Sequence, residues 1–125
     1  MDENPLSREV IGAAIEVHRV LGPGLLESAY ERALEQELIL RGFQVERQKP
    51  VSLTYKGVEL GDAFRLDLLV DGRLVVEVKA VDDLLPVHEA QLLTYLRLTD
   101  LRLGLLVNFD VRTLKAGVKR VVNRL

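Results

Sequence analysis

The sequence predicts a single three-layer α/β/α domain over residues 1–125, in which helices cover a mixed central sheet. The spacing of the apolar residues divides the chain in the order α-α-β-β-β-α-β-β. One helix separates the apolar strand that ends at Lys79 from the apolar run that begins at Leu103. Because such a helix is a crossover, we expect these two strands to be parallel and connected right-handedly.

Two helices are expected before the first strand. Apolar residues recur at helical spacing from Pro5 or Ser7 to about Leu21, where Gly22-Pro23-Gly24 breaks the chain. A second helix should run over about Leu25–Arg41. We interpret the glycine-proline break as the connection that sets the direction of this second helix.

The remaining elements begin with an extended segment over Phe43–Tyr55, in which Pro50 indicates an edge strand or a bulge. A fully covered strand is expected where the apolar residues are continuous, without alternation. The other expected elements are extended segments at 58–60, 66–70 and 74–80, a helix over roughly Pro86–Thr99, the fully covered strand at 103–109, and a short basic strand or terminal segment at 118–125.

The stretch from Arg65 to Lys79 contains the pattern that points to chemistry. It predicts two short strands joined by a tight turn at Asp71-Gly72. Asp67 interrupts the apolar residues of the first strand, and Glu77 and Lys79 interrupt those of the second. Alternate residues of a strand share a face, so Glu77 and Lys79 should point the same way, whereas Asp67 joins them only in the right register.

A three-residue turn gives that register. A two-residue loop would place the apolar sets of the two strands on opposite faces of the sheet. A loop of Val70-Asp71-Gly72, with Gly72 left-handed, places both sets, including Leu66 and Leu68, on one face. It also brings the three ionisable side chains together, so the core pattern and the acidic cluster require the same turn.

Two carboxylates on adjacent strands form a hard-oxygen site suited to Mg²⁺ or Mn²⁺. A lysine beside them can position or help deprotonate an attacking water, or stabilise charge that develops on a phosphate. The alternative is a solvated sheet face with ordinary surface ion pairs. The neighbouring Leu69 and Val75 favour the site, because they indicate that this face is partly covered.

Composition narrows the function classes. The chain has no cysteine, which excludes a disulfide framework, a thiolate metal site and a cysteine nucleophile and fits a cytoplasmic protein. We expect neither a signal peptide nor a membrane span. A net charge of −2 gives no overall attraction to nucleic acid, so any such contact needs a local basic patch.

Several further motifs follow the order of the predicted elements. They are Gly24-Leu-Leu-Glu27-Ser-Ala-Tyr30 with the preceding residues 17–23, the Asp67 strand, Glu77-Val-Lys79, His88-Glu-Ala-Gln91 with Tyr95, and Gly104-Leu-Leu-Val-Asn-Phe109. Together they resemble the GxxExxY family of the PD-(D/E)XK nuclease superfamily, over about Val10 to Arg120. The resemblance implies a restriction-endonuclease-like core and metal-assisted hydrolysis of a phosphodiester.

The resemblance also implies roles for individual residues. Asp67 and Glu77 would bind the divalent metal together with the Val78 carbonyl and waters, and Lys79 would be the catalytic lysine. Glu27 would be a further ligand or would orient the water. A glutamate in the first turn of a helix can equally complement the helix dipole or cap the helix, so both interpretations stay open.

Other polar residues have more than one interpretation. Gln91 and Tyr95 lie one helical turn apart and match residues that support the site in related nucleases, although packing at the helix edge would also explain them. His18 and His88 are interpreted as structural histidines. The basic residues near the end of the chain form either a solvated surface or a phosphate-backbone track to the site: Arg112, Lys115, Lys119, Arg120 and Arg124.

The leading hypothesis is a small Mg²⁺- or Mn²⁺-dependent nuclease that acts on nucleic acid, since competent residues fill every expected site position. Near-neutral charge and small size favour an alternative, a non-catalytic nucleic-acid- or protein-binding module on the same frame. A phosphohydrolase acting on nucleotides would use the same chemistry. The strand edge near Pro50 and a mean hydropathy of +0.12 suggest a homodimer.

Overall fold

A five-stranded sheet with the order β1-β2-β3-β4-β5 forms the centre of the structure, a computed structural model that describes residues 1–125. Only β3 and β4 are parallel, and the other neighbouring strands are antiparallel, so the sheet is mixed. The predicted element order is confirmed. The elements are α1 (Glu3–Leu21), α2 (Glu27–Leu40), β1 (Val45–Tyr55), β2 (Val58–Val70), β3 (Leu74–Lys79), α3 (Pro86–Thr99), β4 (Leu103–Asn108), a 3₁₀ turn (Leu114–Gly117) and β5 (Val118–Val122).

The sheet divides the hydrophobic core into two layers. On one face α1 and α2 pack in a cluster that contains Tyr30 stacked on Phe109, with ring centroids 4.6 Å apart. On the other face α3 packs through Leu92 and Leu96. Helices therefore cover both faces, which confirms the three-layer prediction. None of these helices has the length and apolar character needed to cross a membrane.

The first helix begins earlier than predicted, at Glu3 instead of Pro5 or Ser7. Pro5 lies in the first turn, where its missing N–H breaks no helical hydrogen bond. The Ser7 hydroxyl donates to the Asn4 carbonyl (2.8 Å) from inside the helix and does not cap it. By contrast, α3 has the predicted bounds.

The turn between α1 and α2 is fixed by a buried tyrosine. Gly22 and Gly24 have φ angles of 70° and 98°, which glycine adopts without strain. The Tyr30 hydroxyl donates to the Gly22 carbonyl (2.5 Å) and accepts from the Leu25 N–H (3.1 Å). These bonds set where α2 begins, and therefore where its first-turn glutamate, Glu27, lies.

The second strand is longer than predicted. The segments expected at 58–60 and around Asp67 form one continuous strand of 13 residues. Its partner β1 is an edge strand with register shifts after Val51, as Pro50 predicted.

The turn between β2 and β3 has the predicted length but begins one residue later. Val70 pairs with Leu74, so the loop is Asp71-Gly72-Arg73 instead of Val70-Asp71-Gly72. Both Asp71 (φ 52°) and Gly72 (φ 65°) are left-handed. Aspartate tolerates this conformation, and here its carboxylate also accepts a hydrogen bond from the Gln44 N–H (2.9 Å).

Candidate functional site

The candidate site lies where β2 and β3 separate. Regular pairing ends at Leu68 and Val76. Beyond that point two carboxylates bind the backbone of the opposite strand: Glu77 Oε2 accepts from the Asp67 N–H (2.9 Å), and Asp67 Oδ2 accepts from the Val78 N–H (2.8 Å). These reciprocal bonds satisfy backbone donors that the open ladder leaves unpaired, and they hold Asp67 and Glu77 between the strands.

Both carboxyl groups are harder to ionise than usual. Glu77 is only 4% exposed, and its burial, followed by the charge of Asp67, raises its pKa from 4.5 to about 8. Burial also raises the pKa of Asp67, although the Val78 N–H and the Lys79 charge oppose this effect. Burial is thus the main reason that both carboxyl groups resist ionisation, and the Asp67 charge adds to this effect at Glu77.

Lys79 is the last residue of β3 and is half-buried beside these carboxylates. Its charge lowers the pKa of both Asp67 and Glu77. Even so, its ammonium group is within 4.0 Å of no carboxylate oxygen. The Lys79 ammonium is therefore close enough to act on the site and is not fixed in an ion pair.

The start of α2 covers one side of the site. Glu27 is exposed, and its Oε2 accepts a long hydrogen bond (3.4 Å) from the N–H of Ala80, the residue after Lys79. Between α2 and the sheet lies a cavity of about 210 Å³ that Asp67 lines and Glu77 does not. Its lining residues are Glu27, Ser28, Glu31, Gln48, Asp67 and Val78.

The structure adds two side chains that the sequence interpretation missed. Glu31 is buried, and its Oε1 accepts from Gln48 Nε2 (2.5 Å). The same amide donates to Asp67 Oδ1 (3.3 Å), so Gln48 bridges two carboxylates. Burial raises the pKa of Glu31, whereas the Gln48 bond lowers it. One signal was available, because Glu31 lies one helical turn after Glu27 on the same helix face.

Gln48 has an unusual backbone conformation. Its φ angle is 54°, in the left-handed region, although it lies within β1. The strand pairing passes from Leu68 to Leu66 without a ladder pair at Asp67. Here β2 is irregular, and Leu66 packs in the α3 layer, not with Leu68 as predicted. Such a conformation costs about 1–3 kcal/mol and is typical of functional sites.

The third helix contributes less than its motif suggested. The Tyr95 ring stacks on Phe64 with centroids 4.2 Å apart, and burial followed by the charges of Glu77 and Asp67 raises the pKa of Tyr95. Tyr95 is thus within electrostatic range of the site. Gln91 is exposed and makes no side-chain hydrogen bond, so the structure does not bring it to the carboxylates. His88 Nδ1 accepts from the Leu85 N–H (2.9 Å), a structural role.

The donor set is compatible with a hard divalent cation. Carboxylate oxygens of Asp67 and Glu77 and the nearby Val78 backbone are the ligand types that Mg²⁺ and Mn²⁺ prefer. No three Asp, Glu or His side chains form a complete metal site. Mg²⁺ usually binds one or two protein carboxylates and keeps several waters, so a two-carboxylate site suits it. A cation would also stabilise the ionised form of Glu77, which burial and then the Asp67 charge disfavour.

One comparison with known proteins identifies a family for this chain. A family model described as the PD-(D/E)XK nuclease superfamily matches residues 4–121. A search of curated proteins gives no significant match, and a search of solved structures gives none either. The matched region contains every helix and strand of the fold except the last residue of β5 and the first residue of α1. The chain therefore belongs to the PD-(D/E)XK nuclease superfamily, with its restriction-endonuclease-like α/β fold.

Proposed function

We propose that this protein is a metal-dependent nuclease that hydrolyses phosphodiester bonds of nucleic acid. The observation that carries the proposal is the pair Asp67 and Glu77, held in reciprocal hydrogen bonds at the open end of β2 and β3, with the unpaired Lys79 beside them. Membership of a nuclease superfamily supports this interpretation.

The residues take complementary roles in the proposed reaction. Asp67, Glu77 and the Val78 carbonyl would hold Mg²⁺ or Mn²⁺. When bound, such an ion lowers the pKa of a water and neutralises phosphate charge. Lys79 Nζ donates to the attacking water or to a non-bridging phosphate oxygen and so stabilises the developing charge. Glu27, at the exposed side of the cavity, orients the water.

Supporting roles are proposed for α3 and for the GxxExxY motif. Tyr95, whose ring is packed on Phe64, would limit the access of bulk water to the carboxylates. Gln91 is exposed on the same helix and could contact substrate directly. From the motif at 24–30 we also propose that the chain is a member of the GxxExxY family within this superfamily. A homodimer through the β1 edge remains a prediction.

One observation favours a non-catalytic binding module instead. Asp67 and Glu77 each already accept a backbone hydrogen bond, and a Glu77 pKa of about 8 leaves this carboxyl protonated at neutral pH when no cation is bound. A site that is satisfied without metal could persist after catalysis is lost. The two proposals differ in whether Mn²⁺ binding leads to cleavage.

Cleavage of single- and double-stranded DNA and RNA with Mg²⁺ or Mn²⁺ tests the proposal. The nuclease should lose activity in a chelator and in Glu77→Gln, whose amide retains a hydrogen-bond acceptor for the Asp67 N–H. Cleavage that survives Glu77→Gln would contradict the assignment. Mn²⁺ binding without cleavage of any polynucleotide would favour the binding module, or a phosphohydrolase if nucleotides are hydrolysed.

A further inference from the structure

A second groove lies between the last turns of α1 and the loop that follows β4. It encloses about 280 Å³, and five of its seven lining residues are polar or basic: Ile15, His18, Arg19, Arg112, Thr113, Leu114 and Lys115. The loop leaves the carboxyl end of β4, and β3 is parallel to β4. The groove therefore opens at the same end of the sheet as Lys79, outside the cavity that Asp67 lines.

The loop that forms this groove is held in place. His18 Nε2 donates to the Val111 carbonyl (2.7 Å), and Leu114 is buried in the core beneath the groove. At the start of the loop, the Asn108 side chain bonds both the N–H (3.1 Å) and the carbonyl (2.8 Å) of Val81. Val81 lies two residues after Lys79, so the groove is tied to the candidate site.

The groove presents two cations without partners. Arg112 and Lys115 are exposed, and neither lies within 4.0 Å of a carboxylate. Arg19 differs, because it pairs with Glu16 at 2.8 Å. Two free cations on a fixed loop are suited to a phosphate ligand.

The structure separates these cations from the other basic residues of the chain's last part. Lys119 pairs with Glu89 (3.6 Å), Arg124 pairs with Asp100 (2.7 Å), and Arg120 bonds the Asn4 side chain. The five basic residues that could form a phosphate track are thus not one surface. Only the two in the loop remain available.

The position of the groove defines which phosphates could reach it. The loop extends from β4, and Asp67 lies on β2, two strands away. Neighbouring strands are about 4.8 Å apart, so two strand spacings place the groove about 10 Å from Asp67. Successive phosphates of a duplex strand are separated around the helix as well as by the rise of about 3.4 Å along the axis, so such a distance reaches only phosphates that neighbour the cleaved one.

We propose that Arg112 and Lys115 bind the phosphate backbone of a nucleic-acid substrate at phosphates that neighbour the cleaved bond. This inference rests on the proposed nuclease function and adds a substrate-binding subsite to it. The contacts hold the strand in position and carry no sequence preference. They also explain how a chain of net charge −2 can hold a polyanion, since the positive charge is local.

The test compares two double variants that remove equal charge. Arg112→Ala/Lys115→Ala removes the groove cations, and Lys119→Ala/Arg124→Ala removes paired cations elsewhere. Binding of fluorescein-labelled oligonucleotides is measured by anisotropy in EDTA at several salt concentrations. The groove variant should bind about tenfold or more weakly, with a salt slope reduced by about 1–2, while the control stays within about twofold of wild type.

A second measurement separates this inference from the proposed function. Mn²⁺-dependent hydrolysis of a small diester, bis(p-nitrophenyl) phosphate, should be unchanged in Arg112→Ala/Lys115→Ala, because the diester has no second phosphate for the groove to bind. Wild-type oligonucleotide affinity in the groove variant, or an equal loss in both variants, overturns the inference alone. Wild-type protein that neither binds oligonucleotides nor hydrolyses either substrate overturns the inference and the proposed function together.

Discussion

Replacing Glu77 with glutamine should stabilise the metal-free protein at alkaline pH. The substitution removes one of two facing carboxylates and preserves the shape of the side chain. The glutamine oxygen can still accept the hydrogen bond that Glu77 Oε2 receives from the Asp67 N–H (2.9 Å). The change therefore isolates the charge of Glu77, which burial disfavours and neighbouring Asp67 repels.

The magnitude follows from the pKa of Glu77, which burial and the Asp67 charge raise from 4.5 to about 8. Between these pH values the folded protein keeps a proton that the unfolded chain releases, so the free energy of unfolding falls as pH rises. Each unit of pKa corresponds to about 1.4 kcal/mol, so the loss approaches about 5 kcal/mol by pH 8. Glu77→Gln has no such proton and should exceed wild type by up to this amount at pH 8.

Urea unfolding in EDTA, followed by far-ultraviolet circular dichroism between pH 5 and pH 8.5, measures the difference. The two proteins should unfold at similar urea concentrations at pH 5 and diverge steadily above it. Glu59→Gln, on the exposed part of β2, is a matched control that should follow wild type throughout. Parallel pH profiles for wild type and Glu77→Gln would refute the raised pKa of Glu77 and, with it, the effects of burial and of the Asp67 charge.

Other predictions address catalysis, metal affinity and packing. Lys79→Ala should reduce Mn²⁺-dependent cleavage by about 100-fold or more in a gel assay. Because Lys79 is not a metal ligand, Mn²⁺ should still raise the melting temperature of this variant. Loss of that rise would contradict a role for Lys79 in cleavage alone. Gln48→Gly keeps the left-handed backbone but removes the bridging amide, so calorimetry should show about tenfold weaker Mn²⁺ binding. The free energy of unfolding of Gln48→Ala should be about 1 kcal/mol lower than that of Gln48→Gly, because alanine is strained at a positive φ. Unchanged Mn²⁺ affinity would exclude the bridging role. Gly117→Ala should lose about 1–3 kcal/mol in urea unfolding, because its methyl group would overlap the Asn108 carbonyl oxygen. In Gly12→Ala the new methyl group in α1 would lie 3.4 Å from the nearest atom, Arg41 Nη1, so the free energy of unfolding should rise by about 1 kcal/mol. A more stable Gly117→Ala than Gly12→Ala would contradict the contacts described for these two glycines.

Apolar periodicity predicted the helices and the layers, but it could not locate the β2–β3 turn to the residue. A loop of Val70-Asp71-Gly72 instead of Asp71-Gly72-Arg73 would shift the β3 residue that faces each β2 residue by two positions. A strand alternates with a period of two, so both loops put the same side chains on the same faces. The hydrogen bond from the Gln44 N–H to Asp71 selects between them, and it joins residues 27 positions apart.

The same limit applies to the site. Asp67, Glu77 and Lys79 stand out because charges interrupt an apolar hairpin, which is a local pattern. Gln48 was missed because its importance comes from a left-handed φ and from contacts with other elements. Basic residues near the end of the chain looked like one track because they are close in sequence. In the structure, three of these five residues already have partners in other elements. Lys119 pairs with a carboxylate of α3, Arg124 pairs with a carboxylate just after α3, and Arg120 bonds an amide of α1.

The central claim is that Asp67 and Glu77 hold a divalent cation for cleavage, and Mn²⁺ titration calorimetry tests it most directly. Wild type should bind Mn²⁺ at pH 7 and release up to about one proton per site, seen as a heat that depends on the buffer, because Glu77 must ionise to bind. Glu77→Gln should bind much more weakly and release no such proton. Equal binding by both proteins, or no binding by wild type, would contradict the claim.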